Sequence, residues 1–378
     1  MNKKFFILFT TAVLLVAAGF GCTKVEVKKE VVDFTPIKIG WLGPLTEDLS
    51  SLGSLDRKSV ELAIKEINEA GGIYGRPFQV IYEDGMCDSK TASNAGNKLI
   101  NIEKVAAIIG GYCSGETLAV APVAEQNKVI MLSPASTAPS ITDAGDYIFR
   151  DVPSDNYQGK YAANFVYYTL NKRKAAVLYA ATDYATALGQ VFESEFKELG
   201  GEIVSSDSFL QTTRDLRTQI TKVKNSGADV LYFPTYTESA VAGLNQIKQL
   251  GLNIPVVGPE TLSDPKVVAA DGAEGLLYTT PVTKEDVEFK SKFASYTQSE
   301  VKELPTFSAQ SYDAAKILAL AFKSAGGGAS IELVKNEMYK IKNFAGVSGQ
   351  ISFDKNGDLV GTSYEVMVVK GGKAEKYQ

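Results

Sequence analysis

Ile37-Lys38-Ile39-Gly40-Trp41-Leu42 is a short apolar run that predicts a buried β-strand. A helical pattern follows over Asp56–Ala70, with four apolar residues on one face, Val60, Ala63, Ile64 and Ile67. Gly71 and Gly72 end this helix, and a second strand is predicted over Phe78–Tyr82. A helix that connects two buried strands is typical of parallel sheets, so this stretch predicts an α/β protein.

The same alternation continues along the chain. Further helices are predicted over Ser89–Ile100, Thr117–Gln126, Asn156–Leu170, Thr186–Leu199, Leu216–Asn225 and Glu238–Leu250. Further strands are predicted over Val105–Ile109, Val129–Ser133, Ala175–Ala180, Asp229–Phe233 and Pro255–Gly258, and from Glu202. The C-terminal part is less regular, with helices near Phe289, Ala314 and Leu333 and strands near Ile351 and Tyr364. The pattern is typical of doubly wound parallel sheets, and 378 residues at roughly 150 per domain favour two domains.

Composition excludes several classes of protein. The chain carries 39 Lys and Arg against 44 Asp and Glu, a formal charge of −5, and it contains no histidine. It has no basic stretch suited to a phosphate backbone, so we expect no nucleic-acid partner. Without histidine, His-ligated metals and Ser-His or Cys-His nucleophile pairs are excluded, and three cysteines are too few for a Cys-only zinc site. We expect no metal, no other cofactor and no catalytic residue.

The N-terminus predicts export. Two lysines precede the apolar run Phe5–Phe20, which is shorter than the roughly 20 residues of a membrane-spanning helix and favours a signal peptide over residues 1–21. Cys22 then resembles the cysteine of a bacterial lipobox, although Gly19 stands where that motif usually has Leu, Val or Ala. We expect Cys22 to be lipidated, residues 22–35 to form a charged tether, and the protein to be anchored in the periplasm or at the cell surface. An ordinary signal peptide with an incidental cysteine is the alternative.

Hydroxyl residues, tyrosines and small residues follow the predicted strands. Ligands of open parallel sheets bind beyond the carboxyl ends of the strands, where backbone N–H groups and helix N-termini converge. The segments at these ends are residues 110–116, 133–137, 181–184, 234–236 and 258–260. Each alone is as well explained by a turn or a helix cap. Together they suit a small zwitterion, because they offer hydroxyls for a carboxylate, a carboxylate for an ammonium group and aromatic rings for an apolar body.

Several motifs extend this interpretation to a known family. They are Ile37-Lys38-Ile39-Gly40, Leu42-Gly43-Pro44, residues 70–76 (AGGIYGR), residues 83–88 (EDGMCD), residues 110–114 (GGYCS), residues 133–139 (SPASTAP), Gly258-Pro259-Glu260, residues 274–277 (EGLL) and residues 353–358 (FDKNGD). Over residues 36–370 the chain resembles the leucine/isoleucine/valine-binding branch of the type I periplasmic solute-binding proteins.

The resemblance implies two doubly wound parallel-sheet lobes joined by a three-stranded hinge, the type I periplasmic-binding-protein fold. Residues 36–152 and 283–359 would form lobe 1, and residues 153–282 and 360–378 would form lobe 2. The last crossover could lie anywhere from about Ala345 to Thr362. Such a protein closes its lobes on one amino acid, so closure would be a hinge motion that a partner can recognise.

The resemblance also implies how an amino acid's head group is held. Ser114 and Thr137 match hydroxyl donors to the ligand α-carboxylate. Ala135 matches a backbone carbonyl contact to the ammonium group, and Glu260 matches the carboxylate that pairs with it. All four residues lie where the strand-end reasoning places the site. The expected ligand therefore carries an intact α-amino-acid head group.

The predicted pocket for the ligand side chain departs from the family pattern. Tyr184 and Tyr236 match tyrosines that cover the ligand from the second lobe. Leu52, however, stands where leucine binders often have a tyrosine, and Tyr112 where they have an aliphatic residue. Phe307 matches an aromatic residue of the pocket wall in the family. A role in the hydrophobic core is the alternative. Exchanging a ring and an aliphatic group could preserve volume while altering shape, so the ligand need not be leucine.

Two of the three cysteines match a paired position in the family. Cys87 and Cys113 lie 26 positions apart, each after a predicted strand of one sheet. Closing a loop of that length stabilises a fold by about 3–4 kcal/mol in the chain-entropy model, and disulfides persist in the oxidising compartment that export implies. Two buried free thiols are the alternative.

The resemblance implies a monomeric lipoprotein that delivers a branched-chain or other apolar amino acid to an ABC permease in the cytoplasmic membrane. A ligand-sensing receptor subunit would use the same clamp, and the absence of a kinase segment favours transport. An α/β-cleft hydrolase is the third hypothesis. Against it, residues 111–115 (GYCSG) are not the Gly-x-Ser-x-Gly motif of such enzymes, and no histidine could activate Ser114.

Overall fold

The fold is described from a computed structural model, which covers residues 34–284, 286–298, 304–327 and 330–378. The predicted signal peptide, Cys22 and the tether up to residue 33 lie outside the described residues. None of the helices in the described ranges is both long enough and apolar enough to cross a membrane.

The first half of the fold is built on a parallel sheet, sheet I. Its strands are β1 (Ile37–Gly43), β2 (Phe78–Asp84), β3 (Ala107–Gly110), β4 (Ile130–Ser133) and β5 (Ile148–Arg150). They lie in the order β2-β1-β3-β4-β5, and all neighbours are parallel. The connecting helices are α1 (Ser50–Glu69), α2 (Ser89–Asn97) and α3 (Ser114–Asn127).

The second half is built on a larger mixed sheet, sheet II. Its parallel strands are β6 (Lys174–Ala180), β7 (Glu202–Phe209), β8 (Val230–Tyr232), β9 (Val256–Gly258) and β10 (Leu277–Pro281). Its helices are α4 (Asp155–Asn164), α5 (Asp183–Glu198), α6 (Arg217–Asn225), α7 (Thr237–Gln249) and α8 (Pro265–Val268). Later in the chain come α9 (Val287–Thr297), α10 (Ser308–Ser324), α11 (Ile331–Tyr339) and the hairpin strands β11 (Phe344–Ala345) and β12 (Gln350–Ile351).

The C-terminal strands return to sheet II. They are β13 (Tyr364–Lys370) and β14 (Lys373–Lys376). The strand order is β14-β13-β10-β9-β8-β6-β7, with β13 antiparallel to β10 and β14 antiparallel to β13. The first crossover from sheet I to sheet II therefore follows β5, and the last precedes β13.

Both faces of sheet I are buried. In β3, Ala107 and Ile109 pack with the apolar residues of α1 and α10, whereas Ile108 packs with those of α2 and α3. A parallel strand with helices on both faces has no side that water reaches, so its sequence is continuously apolar. This burial is why strands β1 to β4 are visible in the sequence.

The predicted helix start at Asp56 is wrong, because α1 begins at Ser50. The added first turn contains Gly53, which reads as a helix breaker in sequence. In the fold a Cβ at Gly53 would lie 2.0 Å from the Pro44 carbonyl oxygen, so glycine is required for the β1–α1 loop to approach the helix. The predictions also missed β5 and β10, which are short and carry Arg150 and two threonines instead of a continuous apolar run.

Two other predicted helices change character before they end. The helix predicted to end at Ile100 is α-helical to Asn97 and continues as one π-helical turn over Lys98–Ile102. The helix predicted to end at Leu170 is α-helical to Asn164 and continues as a π-helical turn over Phe165–Thr169. Periodicity alone does not separate these two helix types, so only the overall extents could be predicted.

Candidate ligand-binding site

A cavity lies between elements of sheet I and elements of sheet II. Sheet I elements contribute Leu49, Leu52, Tyr112, Cys113, Ser114 and Ala135, together with Thr306 and Phe307 before α10. Sheet II elements contribute Tyr184, Tyr236, Glu260 and Thr261. A cavity lined from both halves of the fold is a common location for a small-molecule site.

The structure brings eight of the nine predicted site residues together around this cavity. They are Ser114, Ala135, Tyr184, Tyr236, Glu260, Tyr112, Leu52 and Phe307. Thr137 is not among the lining residues. Thr137 follows the lining residue Ala135 by two positions, and its hydroxyl donates to the Asp155 carboxylate oxygen Oδ2 at 2.9 Å.

Ser114 is the first residue of α3, so the N-terminal N–H groups of that helix lie at the cavity wall. Its Oγ accepts a hydrogen bond from the Ala138 backbone N–H at 3.1 Å, which ties the segment after β4 to the helix end. The N-terminus of a helix favours anions because its N–H groups are unpaired and its dipole is positive there. This corner of the cavity can therefore hold a carboxylate.

The Cys113 end of α3 is fixed by a disulfide and a buried carboxylate. Cys87 and Cys113 form the disulfide that the family resemblance implies, with Cα atoms 5.3 Å apart. The carboxylate of Glu116 accepts the backbone N–H of Cys87 at 3.0 Å and that of Cys113 at 2.9 Å. Burial raises the pKa of Glu116 to about 7 although these hydrogen bonds act to lower it. Together they hold the start of α3, and with it Ser114, in place.

Glu260 lines the cavity, and a second buried carboxylate, Asp155, lies near it although it is not a lining residue. Glu260 Oε1 accepts from the Tyr184 hydroxyl at 2.9 Å, and Glu260 Oε2 accepts from Gln158 Nε2 at 2.5 Å. Asp155, at the start of α4, is fully buried, and its Oδ1 has no hydrogen-bond partner among the described residues. Burial raises the pKa of Glu260, and burial together with the charge of Glu260 raises the pKa of Asp155. Such a pair attracts a cation strongly.

The rest of the wall is apolar and aromatic. Tyr184 and Tyr236 stack with ring centroids 5.5 Å apart, and Tyr112 meets Phe307 edge to face at 6.2 Å. Leu52 also lines this part of the cavity. Aromatic rings of this kind bury much apolar area in a fixed geometry. They can enclose an aliphatic side chain.

Sequence reasoning missed Asp155 and Gln158, which stand one helical turn apart on α4. Both follow β5, a strand that the sequence pattern does not predict, so the rule that ligands bind at strand ends did not point to them. It also missed Leu49, which directly precedes α1, because the predicted helix began later. The spacing Asp155-x-x-Gln158 on a helix after a strand is a signal that could have pointed to them.

Arg150 supports the segment that follows β4. It is fully buried, and its Nη1 donates to the carbonyl oxygens of Thr137 at 2.9 Å and Ala138 at 2.8 Å. Its Nε and Nη2 form a bidentate pair with the Asp358 carboxylate at 2.7 and 2.9 Å. Thr142 accepts a further bond from Nη2. A planar guanidinium in such a fork fixes the backbone at the edge of the site.

Two α/β halves that meet over a small cavity, with an anion site, buried carboxylates and aromatic walls, define the class of solute-binding clamps. The chain belongs to the periplasmic binding protein family, whose model matches residues 36–374. The fold is accordingly the predicted type I periplasmic-binding-protein fold with two α/β lobes.

Individual relatives agree with this assignment. The chain is 29% identical to the leucine-, isoleucine-, valine-, threonine- and alanine-binding protein of Pseudomonas aeruginosa, over 87% of this chain and 89% of that protein. Among solved structures, the leucine-binding protein LivK of Thermotoga maritima matches with a TM-score of 0.83 at 29% identity, covering 90% of this chain and 98% of that one. The branched-chain amino-acid transporter binding protein LivJ of Streptococcus pneumoniae, in complex with isoleucine, matches with a TM-score of 0.80 at 29% identity and the same coverage.

Proposed function

We propose that this protein binds a branched-chain or other apolar α-amino acid outside the cytoplasm and delivers it to an ABC permease. The observation that carries the proposal is one small cavity that contains both the N-terminus of α3 with Ser114 and the buried carboxylate of Glu260. The two charges of a zwitterion need these two environments. The names of the relatives in Pseudomonas, Thermotoga and Streptococcus support the same ligand class.

The head group would be held by charge-assisted hydrogen bonds. The ligand α-carboxylate would accept from the Ser114 hydroxyl and the N–H groups at the start of α3, and from Thr137 if its hydroxyl turns away from Asp155. The ammonium group would donate to Glu260 and to the Ala135 carbonyl. A hydrogen bond to a charged group contributes more free energy than a neutral one. These bonds therefore offset the desolvation cost of burying the zwitterion.

The ligand side chain would lie among Tyr112, Phe307, Leu49 and Leu52. These residues present aliphatic and aromatic surface to the cavity, and burial of apolar area there would favour a hydrophobic side chain. The phenol ring of Tyr112 narrows the pocket where leucine binders have an aliphatic residue. We propose that two residues set the preference among small apolar amino acids. They are Tyr112 and Leu52, which stands where leucine binders often have a tyrosine.

Closure of two lobes would bring the head-group contacts together. We propose that residues 36–152 with 283–359 form lobe 1 and that residues 153–282 with 360–378 form lobe 2, a division that the strand membership of the two sheets supports. Lipidation of Cys22 would hold the monomeric protein at the membrane near its permease. The bound amino acid would leave chemically unchanged, since the site holds it without a nucleophile and base pair.

A ligand screen tests this proposal. Thermal shift with each of the twenty amino acids should raise the melting temperature for one or more apolar amino acids, because a ligand that binds only the folded state stabilises it. Chromatography of the eluted ligand should recover the same amino acid. A shift with none of them, or recovery of a product, would contradict the proposed function.

Affinity for the amino acid is expected to fall on acidification. The pKa values of Glu260 and Asp155 are raised, so protons compete with the ligand ammonium group for this carboxylate pair at a higher pH than they would for ordinary carboxyl groups. Calorimetry in buffers of different ionisation enthalpy should therefore show release of up to about one proton per ligand.

Asp155→Asn is the matched variant for the pH experiment. Asparagine keeps an oxygen for the Thr137 hydroxyl but removes the charge next to Glu260. The loss of affinity should then move to lower pH, since Glu260 ionises more easily alone. A dissociation constant that stays constant from roughly pH 5 to 8 in the unmodified protein would refute the proton competition.

A further inference from the structure

Asp48 lies in the loop between β1 and α1, and it reaches across the cleft. Its Oδ2 accepts from the side-chain amide of Gln211 at 2.6 Å, and Arg214 Nη2 lies 3.9 Å from the same oxygen. Its Oδ1 accepts the backbone N–H of Glu238 at 3.3 Å. All three partners belong to the sheet II half, whereas Asp48 belongs to the sheet I half.

The Glu238 contact caps a helix from the opposite half. Glu238 is the second residue of α7, and the residue at the N-cap position, Tyr236, supplies no side-chain hydrogen bond to the helix. An acidic side chain at a helix N-terminus satisfies a free N–H group and interacts favourably with the helix dipole. Asp48 thus supplies the cap that α7 lacks within its own half. Tyr236 itself lines the ligand cavity.

The backbone of this loop separates the contact from the cavity. Glu47 and Leu49, on either side of Asp48, both have left-handed φ angles of 60° and 67°. This conformation is unusual for residues other than glycine, and it sends neighbouring side chains in different directions. Leu49 lines the ligand cavity, whereas Asp48 makes its bonds to Gln211 and Glu238 outside it.

We propose that Asp48 is a closure latch, a positioning residue that sets ligand affinity and residence time without touching the ligand. This inference rests on the proposed function. The carboxylate bonds to Gln211 and α7 exist only while the two halves are together, so they stabilise the closed form selectively. A second contact across the cleft, between the hydroxyls of Ser263 and Thr306 at 2.7 Å, is neutral and therefore weaker.

Stopped-flow kinetics with L-leucine test the latch. In Asp48→Ala we expect dissociation to be about tenfold faster and association to be nearly unchanged, since hydrogen bonds to a charged group are lost only from the closed form. Gln211→Ala should accelerate dissociation less than Asp48→Ala does. The free-energy change in the double variant should be smaller than the sum of the changes in the two single variants. Glu47→Gln is the matched control, because it removes a charge from the same loop at an exposed side chain.

Small-angle X-ray scattering of the unliganded proteins gives a readout that does not depend on the ligand. The mean radius of gyration of Asp48→Ala should exceed that of the wild type and of Glu47→Gln. If leucine binds neither protein but the scattering differs as expected, the latch stands and leucine is excluded as the ligand. If leucine binds and Asp48→Ala matches the wild type in both scattering and dissociation rate, the latch is overturned.

Discussion

Replacement of Glu260 by alanine is expected to weaken amino-acid binding by at least about thirtyfold and to leave the fold intact. The ammonium group of a bound zwitterion would lose its charged partner inside a cavity from which water is excluded. A buried charged donor without a partner costs about 2 kcal/mol or more, which corresponds to this factor. Titration calorimetry of the variant and the wild type with L-leucine measures it directly.

The fold should survive this change because Glu260 is costly to bury. Its side chain is 1% exposed, and its raised pKa shows that the folded protein disfavours the charged form. Glu260 is hydrogen-bonded, but no ion pair to a lysine or arginine is found for it among the described residues. Removal of this buried charge relieves the desolvation cost, so the melting temperature of the ligand-free variant should equal or exceed that of the wild type. A residue that served stability alone would show the opposite pattern.

Two further variants separate charge from shape. Glu260→Gln keeps the size of the side chain and can still accept from Tyr184 or Gln158, so a loss of affinity in this variant reports the charge. Glu198→Ala removes an exposed carboxylate from the end of α5 in the same half and should bind as the wild type does. Unchanged affinity in Glu260→Ala would remove Glu260 from the ammonium site.

The fold could be predicted because of how its strands are buried. The strands of sheet I are covered by helices on both faces, so runs such as Ala107–Gly110 are apolar without interruption, and the helices between them keep one apolar face. Strands β5 and β10 were missed because they are short and carry polar residues whose burial depends on distant partners. Arg150 is the clearest case, since an arginine in three residues of strand gives no local sign that Asp358 will neutralise it.

The site could be predicted as far as the strand ends could be located. Ser114, Ala135 and Glu260 follow strands that the sequence shows, and the family resemblance supplies their roles. Asp155 and Gln158 follow β5, which the sequence pattern did not predict. Neither the strand-end rule nor the family resemblance therefore identified them. The contact of Asp48 with α7 depends on how the two halves meet, and no local pattern in the sequence contains that information.

Replacement of Arg150 by methionine is expected to destabilise the protein by about 3–5 kcal/mol, because removal of one partner from a buried ion pair strands the other. The Arg150 side chain is fully buried, and that of Asp358 is 13% exposed. Methionine would fill much of the volume, but among the described residues the Asp358 carboxylate would keep only Thr142 as a side-chain donor. The carbonyl oxygens of Thr137 and Ala138 would each lose one donor and would keep the backbone N–H groups of Asp155 and Ile141.

Urea denaturation followed by circular dichroism measures this loss. The urea concentration at the midpoint of unfolding should fall, while the dependence of the unfolding free energy on urea should stay similar. Arg173→Met is the matched control, because Arg173 also donates to two carbonyl oxygens, those of Tyr167 and Lys172, but on the exposed surface. That variant should lose less than about 1 kcal/mol of stability.

Arg150→Met should also bind L-leucine more weakly, since the Thr137–Ala138 segment beside the cavity is no longer held by the guanidinium. If Arg150→Met and Arg173→Met shift the midpoint equally, the buried fork stabilises the fold no more than exposed hydrogen bonds do. If Arg150→Met binds L-leucine as the wild type does, the fork does not position the Thr137–Ala138 segment, and the contacts of Thr137 with Asp155 suffice.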